Sequence, residues 1–329
     1  MAPILEVQNL AASFPAPHGP GVRVLDGVDF SVQEGEILGI VGESGSGKTI
    51  TALSVTGLLP PNCRIDGGEI LFRGSSLRAL SDRQLNAIRG QEISMIFQNP
   101  RSSLNPLFRV EKTLAQVLAA HRGLKGAAAR RRSIQLLADV GLPDPDQILR
   151  RYPHELSGGM CQRVMIALAL ASEPKLLIAD EPTTALDVTV QLQVIELLTA
   201  LRREHGLTLL LITHNLSVVA EVCDRVSVMY LGRILEQGPV LEIFDHPRHP
   251  YTLGLLGSRP TVNVDGTLTA IPGQVPDPRD RPAGCAFRSR CAHAEEICSE
   301  PLPHEEVAPG HSIECHRWRE LSGVREVPV

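Results

Sequence analysis

The segment that organises this chain reads Gly42-Glu43-Ser44-Gly45-Ser46-Gly47-Lys48-Thr49. It follows the β-branched run Ile37–Val41, which predicts a buried strand, and it leads into Lys48–Leu59, which has helical periodicity until Pro60. A glycine-rich loop between a strand and a helix lets successive backbone amides point inward around an anion, and the helix adds the positive end of its dipole. The spacing G-x-x-x-x-G-K-T is that of a phosphate-binding loop.

This loop predicts a nucleotide site. Residues 42–47 would wrap the phosphates, Lys48 would reach the β- and γ-phosphates, and the Thr49 hydroxyl would ligate Mg²⁺. The alternative, an ordinary glycine-rich turn, is disfavoured by the strand–loop–helix context.

A second segment, which ends in two acidic residues, indicates which reaction the nucleotide undergoes. Leu176–Glu181 reads as an apolar strand that ends in two adjacent acids. We expect Asp180 to lie beside the phosphate loop and hold Mg²⁺, and Glu181 to act as the general base on an attacking water. The alternative is a pair of solvated strand caps. The sequence has no N-K-x-D guanine-recognition motif, which favours adenine.

Alternating strands and helices predict an α/β core with a largely parallel sheet. Residues 106–172 are rich in Ala, Leu, Arg and Gln and predict a helical insert within that core. The predicted strands are Val24–Val32, Ile37–Val41, Gly68–Arg73, Ile93–Phe97, Leu176–Ala179, Thr208–Thr213 and Arg225–Tyr230, and the predicted later helices are Val188–His205 and Leu216–Val222.

Composition excludes several classes of protein. The 329 residues suggest about two domains, and 43% of them are hydrophobic, which is enough for a sizeable core. Lys+Arg 32 against Asp+Glu 37 leaves a net charge of −5, so no basic excess indicates nucleic acid. No apolar run reaches the roughly 18 residues that span a bilayer. Residues 1–7 lack the basic start of a secretory signal, so we expect a soluble, cytoplasmic protein.

Further motifs resemble those of ABC transporter ATP-binding subunits. Leu156–Arg163, with Ser157, Gly158 and Gly159, is similar to the ABC signature. The other matching elements are Gln98 as the Q-loop, Asp187 in Ala185-Leu186-Asp187 as the D-loop, and His214 as the switch histidine. All stand in the family order within residues 1–245.

This resemblance implies a P-loop NTPase (ABC ATPase) core with a helical insert at about residues 100–172. It implies that two cassettes pair head to tail, so that each signature completes the ATP site of its partner. Glu181, His214 and Gln98 would be the catalytic residues, and Gln98 would also contact Mg²⁺. Phe14 would stack on adenine, although a core aromatic is an equal alternative for it.

One branch of the family, the peptide importers for oligopeptides, dipeptides and nickel, resembles nearly the whole chain. The segments that carry this resemblance are Gln98–Pro106, Tyr152–Gly159, Pro250–Thr252, Ile271–Pro278 and Gly284–Cys291. The resemblance implies a peripheral ATPase at the cytoplasmic face of the membrane. Its partners would be a second ATPase subunit, a paralogue, together with two permease subunits and a solute-binding protein. Residues 246–329 would form a small C-terminal extension.

That extension holds four cysteines, Cys285-x5-Cys291-x6-Cys298-x16-Cys315. The spacing matches neither zinc ribbons nor tight ferredoxin motifs. The resemblance implies a 4Fe–4S cluster, while zinc, with His293, His304, His311 and His316 nearby, and free thiols or a disulfide stay open. Since the extension lies outside every phosphate motif, we expect loss of Cys291 to leave ATP binding intact.

The sequence leaves two alternative functions open. An ABC ATPase of DNA repair predicts long coiled-coil heptads, which the sequence lacks. An iron–sulfur assembly or redox-sensing module predicts that loss of the cluster, rather than loss of Glu181, abolishes function.

Overall fold

The structure is a computed structural model that describes residues 2–16, 21–184, 186–258 and 271–321. Two compact units divide the chain. The first, termed the phosphate-loop unit, comprises residues 1–32, 37–78 and 213–329, and the second, termed the signature unit, comprises residues 33–36 and 79–212.

The strands and helices of both units are, in chain order, β1 (Leu5–Phe14), β2 (Val22–Val32), β3 (Ile37–Val41), α1 (Lys48–Thr56), β4 (Arg64–Phe72), β5 (Ser75–Ser76), α2 (Asp82–Ile88), β6 (Ile93–Ile96), α3 (Pro100–Ser103), α4 (Val110–Arg122), α5 (Gly126–Asp139), α6 (Pro145–Arg150), α7 (Gly158–Leu170), β7 (Leu176–Asp180), α8 (Val188–His205), β8 (Thr208–Ile212), α9 (Leu216–Val222), β9 (Arg225–Tyr230), β10 (Arg233–Pro239), α10 (Val240–Asp245), α11 (Pro250–Gly257), β11 (Glu305–Ala308), β12 (His311–Ile313) and α12 (Trp318–Leu321).

The phosphate-loop unit contains two runs of paired strands. One is antiparallel, in the order β2-β1-β4-β5, and the other follows the order β11-β12-β10-β9-β3. In the second run β3 and β9 are parallel, and all five residues of β3 are buried. An uninterrupted apolar strand of this kind has no solvent face, which is typical of a parallel strand covered on both sides.

The signature unit combines three parallel strands with helices. The strand order is β8-β7-β6, and every residue of β7 and β8 is buried. Between β6 and β7 the chain forms α3 to α7, so the prediction of helices across residues 106–172 is confirmed.

The sheets are less parallel than the sequence predicted. Parallel pairing holds for β3 with β9 and for β6 to β8, whereas β1, β2, β4, β5 and β10 to β12 pair antiparallel. Helix α1 also ends three residues early, at Thr56 instead of Leu59. Gly57 adopts φ 62° and its N–H bonds to Leu53 O, a left-handed C-terminal cap that stops the helix.

The C-terminal extension shares the core of the phosphate-loop unit. Strand β12 pairs with β10, and the rings of Tyr230, Tyr251 and Phe287 pack together with centroids 4.7–5.4 Å apart. The buried side chain of His311 contacts Glu236 at 2.9 Å. The extension therefore packs onto the core of the phosphate-loop unit rather than around a core of its own.

Candidate functional site

The phosphate loop follows β3 and ends at α1 within one unit, as the sequence predicted. Gly45 and Gly47 have φ of 80° and 106°, a region that residues with a Cβ rarely adopt. A Cβ at Gly42 would collide with the carbonyl oxygen of Met229. These glycines therefore let the backbone curl closely against β9 and turn into the helix.

Lys48 lies inside the loop and is 5% exposed. Its Nζ donates to Gly42 O at 2.8 Å, to Glu43 O at 2.9 Å and to Ser46 Oγ at 3.3 Å. The ammonium therefore ties the two ends of the loop together and carries a positive charge into the nest of amides. This arrangement can bind an anion such as a phosphate chain.

His214 and Phe14 belong to the same unit. The N–H of Thr213 donates to Ile40 O at 3.2 Å, so the exposed His214 follows a residue held against β3 close to where the loop begins. Phe14 is half-buried and pairs with Val22 at the end of β1.

In the signature unit, Gln98 and Glu181 come together. Gln98 Nε2 donates to Glu181 Oε2 at 2.9 Å, and Thr184 Oγ1 donates to the same oxygen at 2.7 Å. Asp180, at the end of β7, is 2% exposed. The structure therefore orients the Glu181 carboxylate with two donors, of which the sequence pointed to Gln98 and missed Thr184.

The signature residues start α7. Ser157 is the N-cap, since its Oγ accepts from Met160 N at 3.3 Å, and Gly158 and Gly159 are the first two helical residues. A Cβ at Gly159 would lie 2.9 Å from Val190 Cγ1, so a side chain at this position would have to displace Val190. Asp187 caps α8 in the same way, accepting from Val190 N at 3.0 Å, while its neighbour Ala185 lies outside the described residues.

The four cysteines line one pocket, together with His249, His293 and His316. All four are free thiols; Cys285, Cys298 and Cys315 are buried and Cys291 is half-buried. Burial raises the pKa of Cys285 to about 12 and that of Cys315 to about 11, and it also raises the pKa of Cys291. The Nε2 atoms of His249 and His316 have no hydrogen-bond partner among the described residues.

This pocket differs from a site for one metal ion. Across the described parts of the chain, no three His, Cys, Asp or Glu side chains come together closely enough to hold a single ion. Tetrahedral zinc needs its sulfur ligands about 2.3 Å from one centre. Two of the four histidines that the sequence offered to zinc lie elsewhere, because His311 binds Glu236 and His304 lines another pocket.

The C-terminal extension contacts the phosphate loop in a way that the sequence did not indicate, because Arg290 forms an ion pair with Glu43 inside the loop, at 2.6 Å. The two residues are 247 positions apart, and neither belongs to a periodic segment that would have indicated the contact. The signal available was only that Arg290 stands within the segment Gly284–Cys291.

None of the helices in the described ranges is long and apolar enough to cross a membrane.

Comparison with known proteins gives consistent results. Residues 25–184 match the family model "ABC transporter", and residues 235–298 match "Oligopeptide/dipeptide transporter, C-terminal region". The chain is 48% identical over 315 residues to the oligopeptide transport ATP-binding protein OppD of Salmonella typhimurium, covering 95% of this chain and 93% of that protein. It is 46% identical over 318 residues to the dipeptide transport ATP-binding protein DppD of Bacillus subtilis, covering 96% and 95%.

Among solved structures, the chain resembles a dimeric ATP-binding cassette in a post-hydrolysis state bound to ADP and Pi. The TM-score is 0.65 at 28% sequence identity, and the match covers 72% of this chain and 98% of the other.

Proposed function

The chain belongs to the ABC transporter family, and we propose that it hydrolyses ATP to drive the import of short peptides. The geometry that carries the ATPase activity is the Glu181 carboxylate, held by Gln98 and Thr184 directly after β7. Peptide import is supported by similarity over more than nine-tenths of the chain to peptide transport ATP-binding proteins. The non-transport alternatives have no support among these relatives.

The phosphate-loop unit would bind ATP. Residues 42–47 would surround the phosphates with backbone amides, and Lys48 would shift its donors from the loop carbonyls to the β- and γ-phosphates. Phe14 would stack on adenine. Lys48 already lies inside the loop, where its ammonium contacts Gly42 and Ser46.

Hydrolysis needs a base, a metal site and a γ-phosphate contact. Glu181 would accept the proton of the attacking water, in the orientation that Gln98 and Thr184 fix. Thr49, Gln98 and Asp180 would hold Mg²⁺, which neutralises phosphate charge when bound. His214 would contact the γ-phosphate from the phosphate-loop unit.

A second cassette would complete the cycle. In this proposal Ser157, Gly158 and Gly159 present the N-terminus of α7 to the ATP of a partner subunit, and Asp187 lies at the same interface. Residues 1–245 would form the ATPase domain, with its helical insert at about 100–172, and residues 246–329 the extension. Permease subunits and a solute-binding protein would be the other partners, with this chain at the cytoplasmic face of the membrane.

The cysteine pocket would hold a 4Fe–4S cluster through Cys285, Cys291, Cys298 and Cys315. Four thiols that surround a cavity, rather than a point, suit a cluster, because its irons spread the ligands apart. Iron would draw off the thiol protons that burial otherwise retains. The free Nε2 atoms of His249 and His316 could donate to cluster sulfides. Such a cluster would order the extension.

The test compares three variants of the full-length protein assembled with its partner subunits. Glu181→Gln removes the base but keeps the shape, so ATP should still bind, turnover should fall at least about a hundredfold, and ATP-dependent pairs should accumulate. Lys48→Ala should instead weaken ATP binding. Glu196→Gln, an exposed glutamate on α8, is the matched control and should behave as the parent. Near-parental turnover in Glu181→Gln would refute the assignment of the base.

A further inference from the structure

Glu43, inside the phosphate loop, forms hydrogen bonds with three other side chains. Its N–H donates to Tyr251 Oη at 2.9 Å, and its carbonyl oxygen accepts from Lys48 Nζ at 2.9 Å. Its carboxylate accepts two hydrogen bonds from Arg290, one from Nη1 to Oε2 at 2.6 Å and one from Nη2 to Oε1 at 3.1 Å. Two of these partners, Tyr251 and Arg290, come from the C-terminal extension.

Arg290 is built into this position. Its side chain is 4% exposed, its Nε donates to Pro272 O at 2.9 Å, and its guanidinium lies 5.8 Å and 5.9 Å from the ring centroids of Tyr230 and Phe287. Burial opposes the charge on Arg290, but the hydrogen bonds to Glu43 and Tyr230 outweigh it and raise the pKa of the guanidinium. A buried, fully bonded fork of this kind fixes both partners.

The charge of Glu43 makes this contact important. A carboxylate in a loop that binds a polyphosphate repels the ligand unless a cation neutralises it. Arg290 supplies that cation to the Glu43 carboxylate, whereas Lys48 Nζ donates to the Glu43 carbonyl oxygen. Tyr251 at the same time holds the Glu43 N–H and so fixes where the loop begins.

Arg290 also stands directly before Cys291, and Phe287 stands two residues after Cys285. Because Arg290 is bonded directly to Cys291, any restraint on the position of Cys291 also restrains the residue that holds Glu43.

We propose that Arg290 and Tyr251 are positioning residues through which the C-terminal extension holds the phosphate loop and neutralises Glu43, so that ATP affinity depends on the extension. This inference rests on the proposed function, because it assumes that ATP binds at the loop. It adds a link between the extension and the nucleotide.

The experiment measures the Kd for Mg-ATP, by displacement of a fluorescent nucleotide, in the full-length protein. Arg290→Gln should raise Kd about tenfold, since it leaves the Glu43 charge facing the phosphates. Arg290→Lys, which keeps the charge but loses the fork, should lie between this variant and the parent. Arg281→Gln is the matched control: Arg281 also belongs to the extension, but it pairs at 3.2 Å with Asp26, which is not a residue of the loop. It should change Kd less than about twofold.

A reversal distinguishes this role from simple packing. Glu43→Gln in the Arg290→Gln background removes the unneutralised charge, so the double variant should regain most of the lost affinity. If the double variant binds as weakly as Arg290→Gln, or if Arg290→Gln binds like the parent, the proposal is wrong. Should Arg290→Gln fail to fold, Arg290→Lys and Tyr251→Phe carry the test, and parental Kd in both would overturn it.

The proposed function fails separately. If the parent protein itself binds no ATP, or if Lys48→Ala binds as tightly as the parent, ATP does not bind at this loop. If the parent binds ATP and Lys48→Ala does not, a parental Kd in Arg290→Gln rejects only the role of the extension.

Discussion

Glu181 adopts a left-handed backbone conformation, with φ 47°, directly after the regular strand β7. For a residue with a Cβ, this conformation costs of order 1–3 kcal/mol and persists only where the surroundings enforce it. Here the N–H of Glu181 donates to Ile212 O at 2.8 Å, and Gln98 and Thr184 hold the carboxylate. The strain is therefore located at the residue to which we assign the proton transfer.

Thr184 provides a test of this orientation. Thr184→Val keeps the shape of the side chain but removes the hydroxyl that bonds Glu181 at 2.7 Å. The carboxylate then loses the Thr184 donor, so turnover at saturating ATP should fall about three- to tenfold, while the Kd for ATP stays unchanged. Thr184→Ser, which retains the hydroxyl, should turn over at nearly the parental rate. Equal turnover in the valine and serine variants would contradict a positioning role.

The sequence predicts a functional residue when the residues that identify it are close to it along the chain. Lys48 and Glu181 were found from the sequence because the strand, the loop and the charged group are consecutive. Arg290 was not, because its partner Glu43 is 247 residues away and an irregular segment carries it. The sequence does not indicate Thr184 either, because a threonine three residues after an acid is not a distinctive motif.

The same distinction applies to strands. The prediction of β3 agrees with the structure at both ends, because five consecutive apolar residues are buried on both faces. Strand β1 was missed since its register shifts between Val7 and Leu10 and again towards Ser13, which breaks the period-two alternation. Strands β11 and β12 have only four and three residues; β12 pairs with β10, and β11 pairs with β12. In both cases the sequence lacks a regular alternation of apolar and polar residues from which the strand could be predicted.

Strand β2 carries an anchor, Asp26, for three arginines. Its carboxylate contacts Arg23 at 3.0 Å, Arg233 of β10 at 2.8 Å and Arg281 of the extension at 3.2 Å. Burial opposes ionisation of Asp26, but the charge and hydrogen bonds of Arg233, with those of Arg23 and Arg281, outweigh it and lower its pKa. The ionised carboxylate therefore joins two strands and the extension within the phosphate-loop unit.

Asp26→Asn should lower the free energy of unfolding at pH 7 by about 1–3 kcal/mol, because the arginines lose their charged acceptor. The folded pKa lies below the ordinary value of 3.8, so this contribution is fully present above that pH and is lost as the pH falls through the folded pKa. Urea unfolding of both proteins should thus show a gap at pH 7 that narrows below about pH 4. A gap of the same size at pH 3 would mean that the loss reflects packing rather than charge.

At the scale of the whole molecule, the C-terminal extension is the feature that distinguishes this protein from an isolated cassette. The dimeric cassette of known structure covers only 72% of the chain, whereas the peptide transport proteins cover at least 95%. In the phosphate-loop unit the extension contributes two strands beside β10, the rings of Tyr251 and Phe287, and the Arg290 contact to the loop. It is therefore structurally part of the ATPase unit rather than an appendage.

This integration changes what loss of a cysteine should do. We expect the anaerobically purified protein to contain about four irons per chain and to absorb broadly near roughly 400 nm, as thiolate–iron centres do. Cys291→Ser should remove the iron and, contrary to what the sequence suggested, also weaken ATP binding, because Arg290 is the adjacent residue and holds Glu43. Cys63→Ser, a half-buried cysteine outside the pocket, is the control and should keep both iron and affinity. Finding one zinc without iron, or neither metal, would reject the cluster. Unchanged ATP affinity in iron-free Cys291→Ser would show that the cluster does not affect nucleotide binding at the loop.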